Sequence, residues 1–295
     1  MAVIQTGNFT LPEEMAAGFI SKVRDGSAIA RLAPASASRT LLNERYNLVT
    51  TDPEMEWVGE GVAKSQSDMT FTSMVTGTYK FAGTLRFTDE VLWADEDTQM
   101  GLLDEGMAAL AAAGSRALDY GIYHAVSPKT GGAITGATAL VTASEQETVG
   151  ADLVATIDAL PDKVIANGYE FNGIALAPTF ANNLRKERIG ADERRAFPEI
   201  SLNPRQTSNV SGINAAVSNT VNGSLITPAT GVLAVGGDYN MIKWGLVREI
   251  PTRLIEYGDP DNTGRDLQGH NEVALRMELV YKWVVLDPHA FVTLT

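Results

Sequence analysis

A strict alternation of side chains near the carboxyl end constrains the fold of this chain more than any other feature. One set of alternating positions is apolar, and it contains Val273, Leu275, Met277, Leu279 and Tyr281. The intervening positions are mostly small or charged, from Ala274 to Lys282. A period of two residues is typical of a β-strand with two distinct faces. The following Asp287-Pro288 ends the pattern, since proline has no N–H for a strand ladder. We therefore predict a long terminal strand with one buried face.

A second periodic segment predicts a long helix over residues 97–125. Its apolar stripe recurs every three or four residues, at Leu103, Met107, Leu110, Gly114, Leu118 and Ile122. Acidic residues precede the stripe, where they complement the positive end of a helix. A further strand pattern over Tyr79–Phe87 also has one apolar face. We expect the helix to pack on a sheet built from this strand and the terminal one, which indicates an α+β fold.

Residues 52–77 contain few large apolar side chains but keep a short alternation around Phe71. Such a segment predicts a two-stranded β excursion with too little apolar surface to be stable alone. Trp57 is its only tryptophan. An isolated aromatic side chain in a polar loop is unfavourable unless a neighbour covers it, so we expect a contact with another subunit.

The second half of the chain alternates between helix and strand patterns. A stripe through Leu153, Ile157 and Leu160 stops at Pro161, where we expect the helix to end and where a second short helix can begin. A buried strand follows from Gly173 and ends at a proline. The next predicted helix is basic and contains Arg185, close to Arg188. These arginines predict either a subunit contact, a contact with enclosed DNA, or a solvated helix face.

Composition and motifs argue against an enzyme. The net charge of −13 opposes unspecific binding to duplex phosphate. The chain has no cysteine, and none of the common hydrolase, zinc-protease or nucleotide-binding motifs is present. Its three histidines are isolated in sequence. No apolar run approaches the roughly 20 residues that span a bilayer. We expect no catalytic residue, no metal, no cofactor and no membrane partner.

Several segments resemble the major capsid proteins of tailed bacteriophages. At the carboxyl end they are Asn271, Arg276, Val284-Val285 and the run Pro288-His289-Ala290-Phe291. Further likenesses are Met55 to Glu60, Lys80 to Gly83 with Val91-Leu92, residues 95–125 with Asp119, and Gly236 to Tyr239 with Arg248. The resemblance implies the Hong Kong 97 phage capsid fold. Its parts would be an N-terminal arm (1–33), a peripheral domain (34–51, 80–148 and 266–295), an extended loop (52–79) and an axial domain (149–265).

The resemblance also implies function and partners. The chain would self-assemble into the hexamers and pentamers of an icosahedral head, enclosing double-stranded DNA without sequence-specific binding. The arm begins at Met1, with no room for a scaffolding segment, so we expect a separate scaffolding protein, beside a portal and with a decoration protein left open. The protein would assemble in the host cytoplasm and reside in the virion.

Candidate residues follow from the same reasoning. Intersubunit contacts are expected at positions in the arm, the loop and the basic helix: Phe19, Trp57, Glu60, Met69, Phe71, Arg185 and Arg188. Some members of the family fuse subunits through a lysine–asparagine isopeptide bond assisted by a glutamate. The corresponding residues would be Lys64, Asn271 and Glu278. The alternative is that Lys64 makes an ion pair and Asn271 caps a turn, and we favour that interpretation.

Two other classes of function remain open at this point. A bacterial nanocompartment shell, similar to the encapsulins, would share the fold but enclose a cargo enzyme. An α+β hydrolase is supported only by chain length. Packed DNA in purified shells would indicate a phage head, whereas a protein cargo would indicate a nanocompartment. A protein that stays monomeric would favour the hydrolase.

Overall fold

A computed structural model describes residues 26–37, 40–89, 96–190, 194–227 and 229–295. The helices in these ranges are α1 (Ala28–Leu32), α2 (Glu96–Asp119), α3 (Leu140–Ala143), α4 (Leu153–Ala166) and α5 (Pro178–Lys186). The strands are β1 (Arg45–Thr51), β2 (Thr70–Val75), β3 (Gly77–Thr88), β4 (Glu145–Glu147), β5 (Gly173–Leu176), β6 (Arg188–Ile189), β7 (Arg194–Arg195), β8 (Asn209–Val210), β9 (Ile213–Val217), β10 (Ala234–Gly237), β11 (Ile242–Ile255), β12 (Glu272–Val285) and β13 (Phe291–Leu294).

The predicted terminal strand is the centre of a three-stranded antiparallel sheet in the order β11-β12-β3. Its register pairs Tyr281 with Tyr79 and Leu275 with Leu85, so apolar residues of the two strands share one face. The rings of Tyr79 and Trp283 stack with centroids 3.9 Å apart. The alternation in the sequence therefore corresponds to the two faces of this sheet, with the apolar residues on the face toward the core.

Helix α2 covers the apolar face of that sheet, as predicted. Leu110 and Leu118 are buried in one cluster with Leu279 and Tyr281 of β12. A β-carbon added at Gly114 would clash with the Leu279 side chain, so glycine lets the helix lie close to the sheet. The helix continues as a π-helical turn, Tyr120–His124. The predicted long helix over 97–125 is confirmed, and it packs on both expected strands.

A second, six-stranded sheet has the order β4-β13-β10-β5-β9-β8. Helices α4 and α5 bury Leu160, Val164, Phe180 and Leu184 in its own hydrophobic core. The expected end of a helix at Pro161 is wrong, because α4 runs through it to Ala166. Burial of the stripe on both sides of the proline offsets the lost backbone hydrogen bond, which costs about 3 kcal/mol in a helix interior.

The chain crosses between the two sheets more often than the predicted domain ranges imply. Strand β11 lies inside the range 149–265 but pairs with β12. Strand β13 lies inside the range 266–295 but pairs with β10 and β4. Helix α1, from the end of the predicted arm, buries Ala28 and Ile29 in the core. Phe19 lies outside the described residues, and the division into domains stays a prediction.

Candidate intersubunit surface

Strands β1 and β2 form an antiparallel ribbon that belongs to neither large sheet. Directly opposed residues such as Val49 and Phe71 share a face, and on this face Val75 is also exposed. Phe71 exposes 59% of its surface and nearby Met69 exposes 46%. Within the described part of the chain, the ribbon pairs with no third strand. Such a ribbon is marginally stable in water, so its apolar face favours a contact beyond its own chain.

The tip of the ribbon, residues 52–69, carries the largest exposed apolar side chains. Trp57 is 92% exposed and Met55 is 99% exposed. A turn closes the tip, because Val62 N donates to the carbonyl oxygen of Gly59 at 3.2 Å. Gly61 has φ +79°, the left-handed region that glycine adopts at low cost. The Trp57 ring and Val62 flank Gly59 and form one apolar projection.

The same tip is acidic. It contains Asp52, Glu54, Glu56, Glu60 and Asp68 against the single cation Lys64. Glu56 Oε1 accepts a hydrogen bond of 2.8 Å from Ser65 N, and this bond lowers the pKa of the Glu56 carboxyl. Glu60 and Lys64 are both exposed. The tip therefore presents an apolar projection within a field of negative charge.

The base of the ribbon is held firmly to the body of the subunit. Thr76 N donates to the Glu44 carbonyl oxygen at 2.9 Å, and Glu44 N donates to Thr76 Oγ1 at 2.8 Å. The fully buried Lys282 donates to the Leu42 carbonyl oxygen at 2.6 Å. Burial, with a 2.6 Å bond to Glu44, raises the pKa of Tyr46 to about 12. These bonds position the exposed tip while leaving it uncovered.

The three crosslink candidates do not meet within this subunit. Asn271 has φ 51° and ends a turn over Gln268–His270. Glu278 lies seven residues further along the extended strand, a separation of about 23 Å at 3.3 Å per residue. Its carboxylate pairs with Lys80 Nζ at 2.6 Å. The isopeptide hypothesis stays a prediction, and it would need groups from different subunits.

The basic candidates lie at the second sheet. Arg185 Nη2 donates to Asn182 Oδ1 at 3.0 Å, one turn back along α5. Arg188 is exposed in the short β6–β7 pair, beside Arg195. Arg188 and Arg195 are exposed to solvent, whereas Arg185 is half-buried.

A buried polar network surrounds Asp119, and the sequence pattern does not predict its partners. The Asp119 carboxylate accepts hydrogen bonds from Ser27 Oγ, from Ala28 N at 2.9 Å and from Thr220 Oγ1 at 2.6 Å. Burial raises the pKa of Asp119, while these bonds act in the opposite direction. His124 Nε2 lies 2.8 Å from the Thr220 carbonyl oxygen. An aspartate within an apolar stripe was the available signal, but its partners are distant in sequence.

Two absences can be reported for the described residues. They contain no group of three or more histidine, cysteine or carboxylate side chains that could hold a metal ion. No helix among them is both long and apolar enough to cross a membrane.

Comparison with known proteins gives a consistent result. A family model described as phage capsid protein matches residues 72–294. A solved chain from Mycobacterium phage Ogopogo is 34% identical, with a TM-score of 0.80 and coverage of 91% of each chain. A chain from Gordonia phage Cozz is 28% identical, with a TM-score of 0.76, and the match covers 91% of this chain and 86% of that one. No curated protein matches the chain.

A more distant likeness concerns the fold alone. The capsid of an empty GTA particle, computed with C5 symmetry, is 15% identical and has a TM-score of 0.62. The match covers 91% of this chain and 89% of that chain.

Proposed function

The chain belongs to the phage capsid protein family, and we propose that it builds the hexamers and pentamers of an icosahedral head around double-stranded DNA. Membership confirms the predicted tailed-phage major capsid protein and its α+β Hong Kong 97 fold. It indicates a structural role and a place in the virion.

The exposed loop is the observation that carries the assembly proposal. Trp57, at 92% exposure, is an aromatic anchor that no pocket within the described part of its own subunit receives. The loop has a firmly bonded base, so its tip projects from an ordered part of the subunit. A loop of one subunit that covers a different surface of the next makes a heterologous contact, and repetition of that contact closes a ring.

The charge distribution of the chain supports enclosure of DNA without tight binding to it. The net charge of −13 repels phosphate overall, while Arg188 and Arg195 offer exposed local cations. Contacts of this kind go to the DNA backbone and carry no sequence preference. Assembly in the host cytoplasm, with a portal and a separate scaffolding protein, completes the proposal.

Sedimentation velocity with negative-stain electron microscopy tests this function. Wild-type protein should form closed shells, whereas Trp57→Ala should remain as folded subunits, because it loses its anchor. Ile165→Ala, which removes an apolar side chain of 60% exposure from α4, should still assemble. A wild-type protein that stays at its monomer mass of 31.5 kDa at every concentration would contradict the shell function.

The contents of native particles supply a separate test. Packed DNA and a portal are expected. Small shells holding a protein cargo would instead identify a nanocompartment and overturn the proposed enclosure of DNA.

A further inference from the structure

Strands β6 and β7 form a short antiparallel pair that follows helix α5 in the chain. Its register sets Arg188 directly opposite Arg195, and Ile189 opposite Arg194. Directly opposed side chains share one face of a strand pair, with β-carbons about 4.5–5.5 Å apart. Arg188 and Arg195 therefore project together from one face, and both are exposed to solvent.

This arrangement of two arginines is unfavourable without a partner. Like charges directly opposite each other destabilise a strand pair, and a two-stranded pair is itself marginally stable in water. Among the described residues, neither the Arg188 nor the Arg195 guanidinium group has a hydrogen-bond or ion-pair partner. An anion that lies between the two guanidinium groups would remove the repulsion.

The neighbouring cations differ, because contacts within the subunit explain them. Arg185 and Lys186 lie in the last turn of α5, where positive side chains complement the negative end of the helix. Arg185 also donates to Asn182 Oδ1 at 3.0 Å. No comparable contact in the described part of the chain explains the pair Arg188 and Arg195.

A phosphate group fits this pair better than a carboxylate. The planar guanidinium group presents a fork of N–H donors, and arginine–phosphate contacts are commonly bidentate. The two oxygens of a carboxylate are matched by a single fork. A phosphate group has oxygens that point in more directions, so it can accept from two guanidinium groups that face each other.

We propose that Arg188 and Arg195 form a clamp for one phosphate group, which belongs to the DNA backbone or to a free phosphate compound. With DNA as the source, this inference rests on the proposed function and names the residues that touch the duplex. Such a clamp reads no base sequence. Each subunit would hold the duplex at one point, in agreement with a net charge of −13 that opposes tighter binding.

Fluorescence anisotropy of a short labelled DNA duplex tests the clamp on the full chain, at subunit concentrations below those that form shells. Arg188→Gln with Arg195→Gln should lower duplex affinity by about tenfold and reduce the slope of log affinity against log salt by about 1. The matched control is Arg116→Gln with Lys129→Gln, which removes two exposed cations beside α2. An equal loss in this control would reduce the effect to net charge and overturn the clamp.

A charge-conserving variant tests the geometry of the clamp. Arg188→Lys with Arg195→Lys keeps both positive charges but removes the two forks, so it should still lose part of the affinity for the duplex. Circular dichroism should show that its fold is unchanged. Affinity equal to that of wild type would overturn a clamp built on guanidinium geometry.

Isothermal titration calorimetry with inorganic phosphate separates the two sources of the phosphate group. Duplex binding that depends on the arginine pair supports the DNA backbone, whereas such dependence for inorganic phosphate alone supports a free phosphate compound. Binding that is independent of the pair in both titrations would overturn the proposal. Poly-glutamate that binds through the pair as tightly as the duplex would also overturn it, because the pair would then bind any anion. Failure of the wild type to form any shell is a different result, and it would reject the proposed function itself.

Discussion

Lys282 donates a 2.6 Å hydrogen bond to the carbonyl oxygen of Leu42 although its own side chain is fully buried. The two residues are 240 positions apart, and the bond joins the central strand β12 to the base of the extended loop. Glu44 Oε1 lies 3.5 Å from the same ammonium group. A buried lysine is tolerated only where its charge and donors are matched, so this contact is a specific anchor for the loop.

Lys282→Ala should therefore lower the free energy of unfolding by about 2–4 kcal/mol, through lost packing and an unpaired carbonyl group. Lys80→Ala is the matched control, because Lys80 lies on the same sheet face and pairs with Glu278 but is 56% exposed. That exposed pair should contribute less than about 1 kcal/mol. Urea denaturation of the unassembled subunit measures the loss of stability in both variants. Equal losses for the two variants would show that Lys282 is not an anchor.

The buried face of α2 gives a second prediction. Leu110→Asp would place an unpaired carboxylate against β12 and should prevent folding, since such burial costs several kcal/mol. Ala112→Asp, on the exposed side of the same helix, should yield soluble, folded protein. Circular dichroism and the soluble yield distinguish them. Soluble, assembling Leu110→Asp protein would refute this assignment of the buried face.

Stability should depend on the protonation of His124. Burial lowers the pKa of His124, and its Nδ1 has no hydrogen-bond partner among the residues that the structure describes. The folded state thus favours neutral imidazole. The contribution of His124 to stability is fully present above its unfolded pKa of about 6.5 and is lost as the pH falls toward the lower folded value.

His124→Gln should accordingly lose less stability than wild type between about pH 7.5 and about pH 5.5 in urea denaturation. His270→Gln, at an exposed position, should retain the wild-type pH dependence. If wild type and His124→Gln had identical pH profiles of stability, His124 would not be the source of the pH dependence.

Particles boiled in detergent should run as a single band near the 31.5 kDa monomer mass. The reason is that the Glu278 carboxylate is already paired with Lys80, so it is a poor acceptor for a proton from Lys64. A ladder that disappears in Lys64→Arg would instead establish the covalent link between subunits.

The periodicity of apolar residues predicted those helices and strands whose buried face is set by the local sequence. The alternation around Met277 and the stripe through Leu110 both became the faces of one core. The alternation around Phe71 became strand β2, although its partner β1 (Arg45–Thr51) lies before the predicted excursion over 52–77. In each case the local pattern and the tertiary packing agree.

Elements that depend on distant residues were not predictable in this way. Helix α4 continues through Pro161 because a second core holds both of its halves. The partners of Asp119, at Ser27 and Thr220, lie about a hundred positions away. An apolar pocket lined by Leu110, Ala113 and Met277 exists only where helix α2, strands β3 and β12 and one turn meet. No local pattern in a single sequence predicts such contacts between distant elements.

A cryo-electron microscopy map of assembled particles tests the central claim most directly. The tip of the extended loop, residues 52–69, should lie on a neighbouring subunit, with the Trp57 side chain covered by that neighbour. A loop folded back on its own subunit, or a Trp57 side chain still exposed to solvent in the closed shell, would contradict the account.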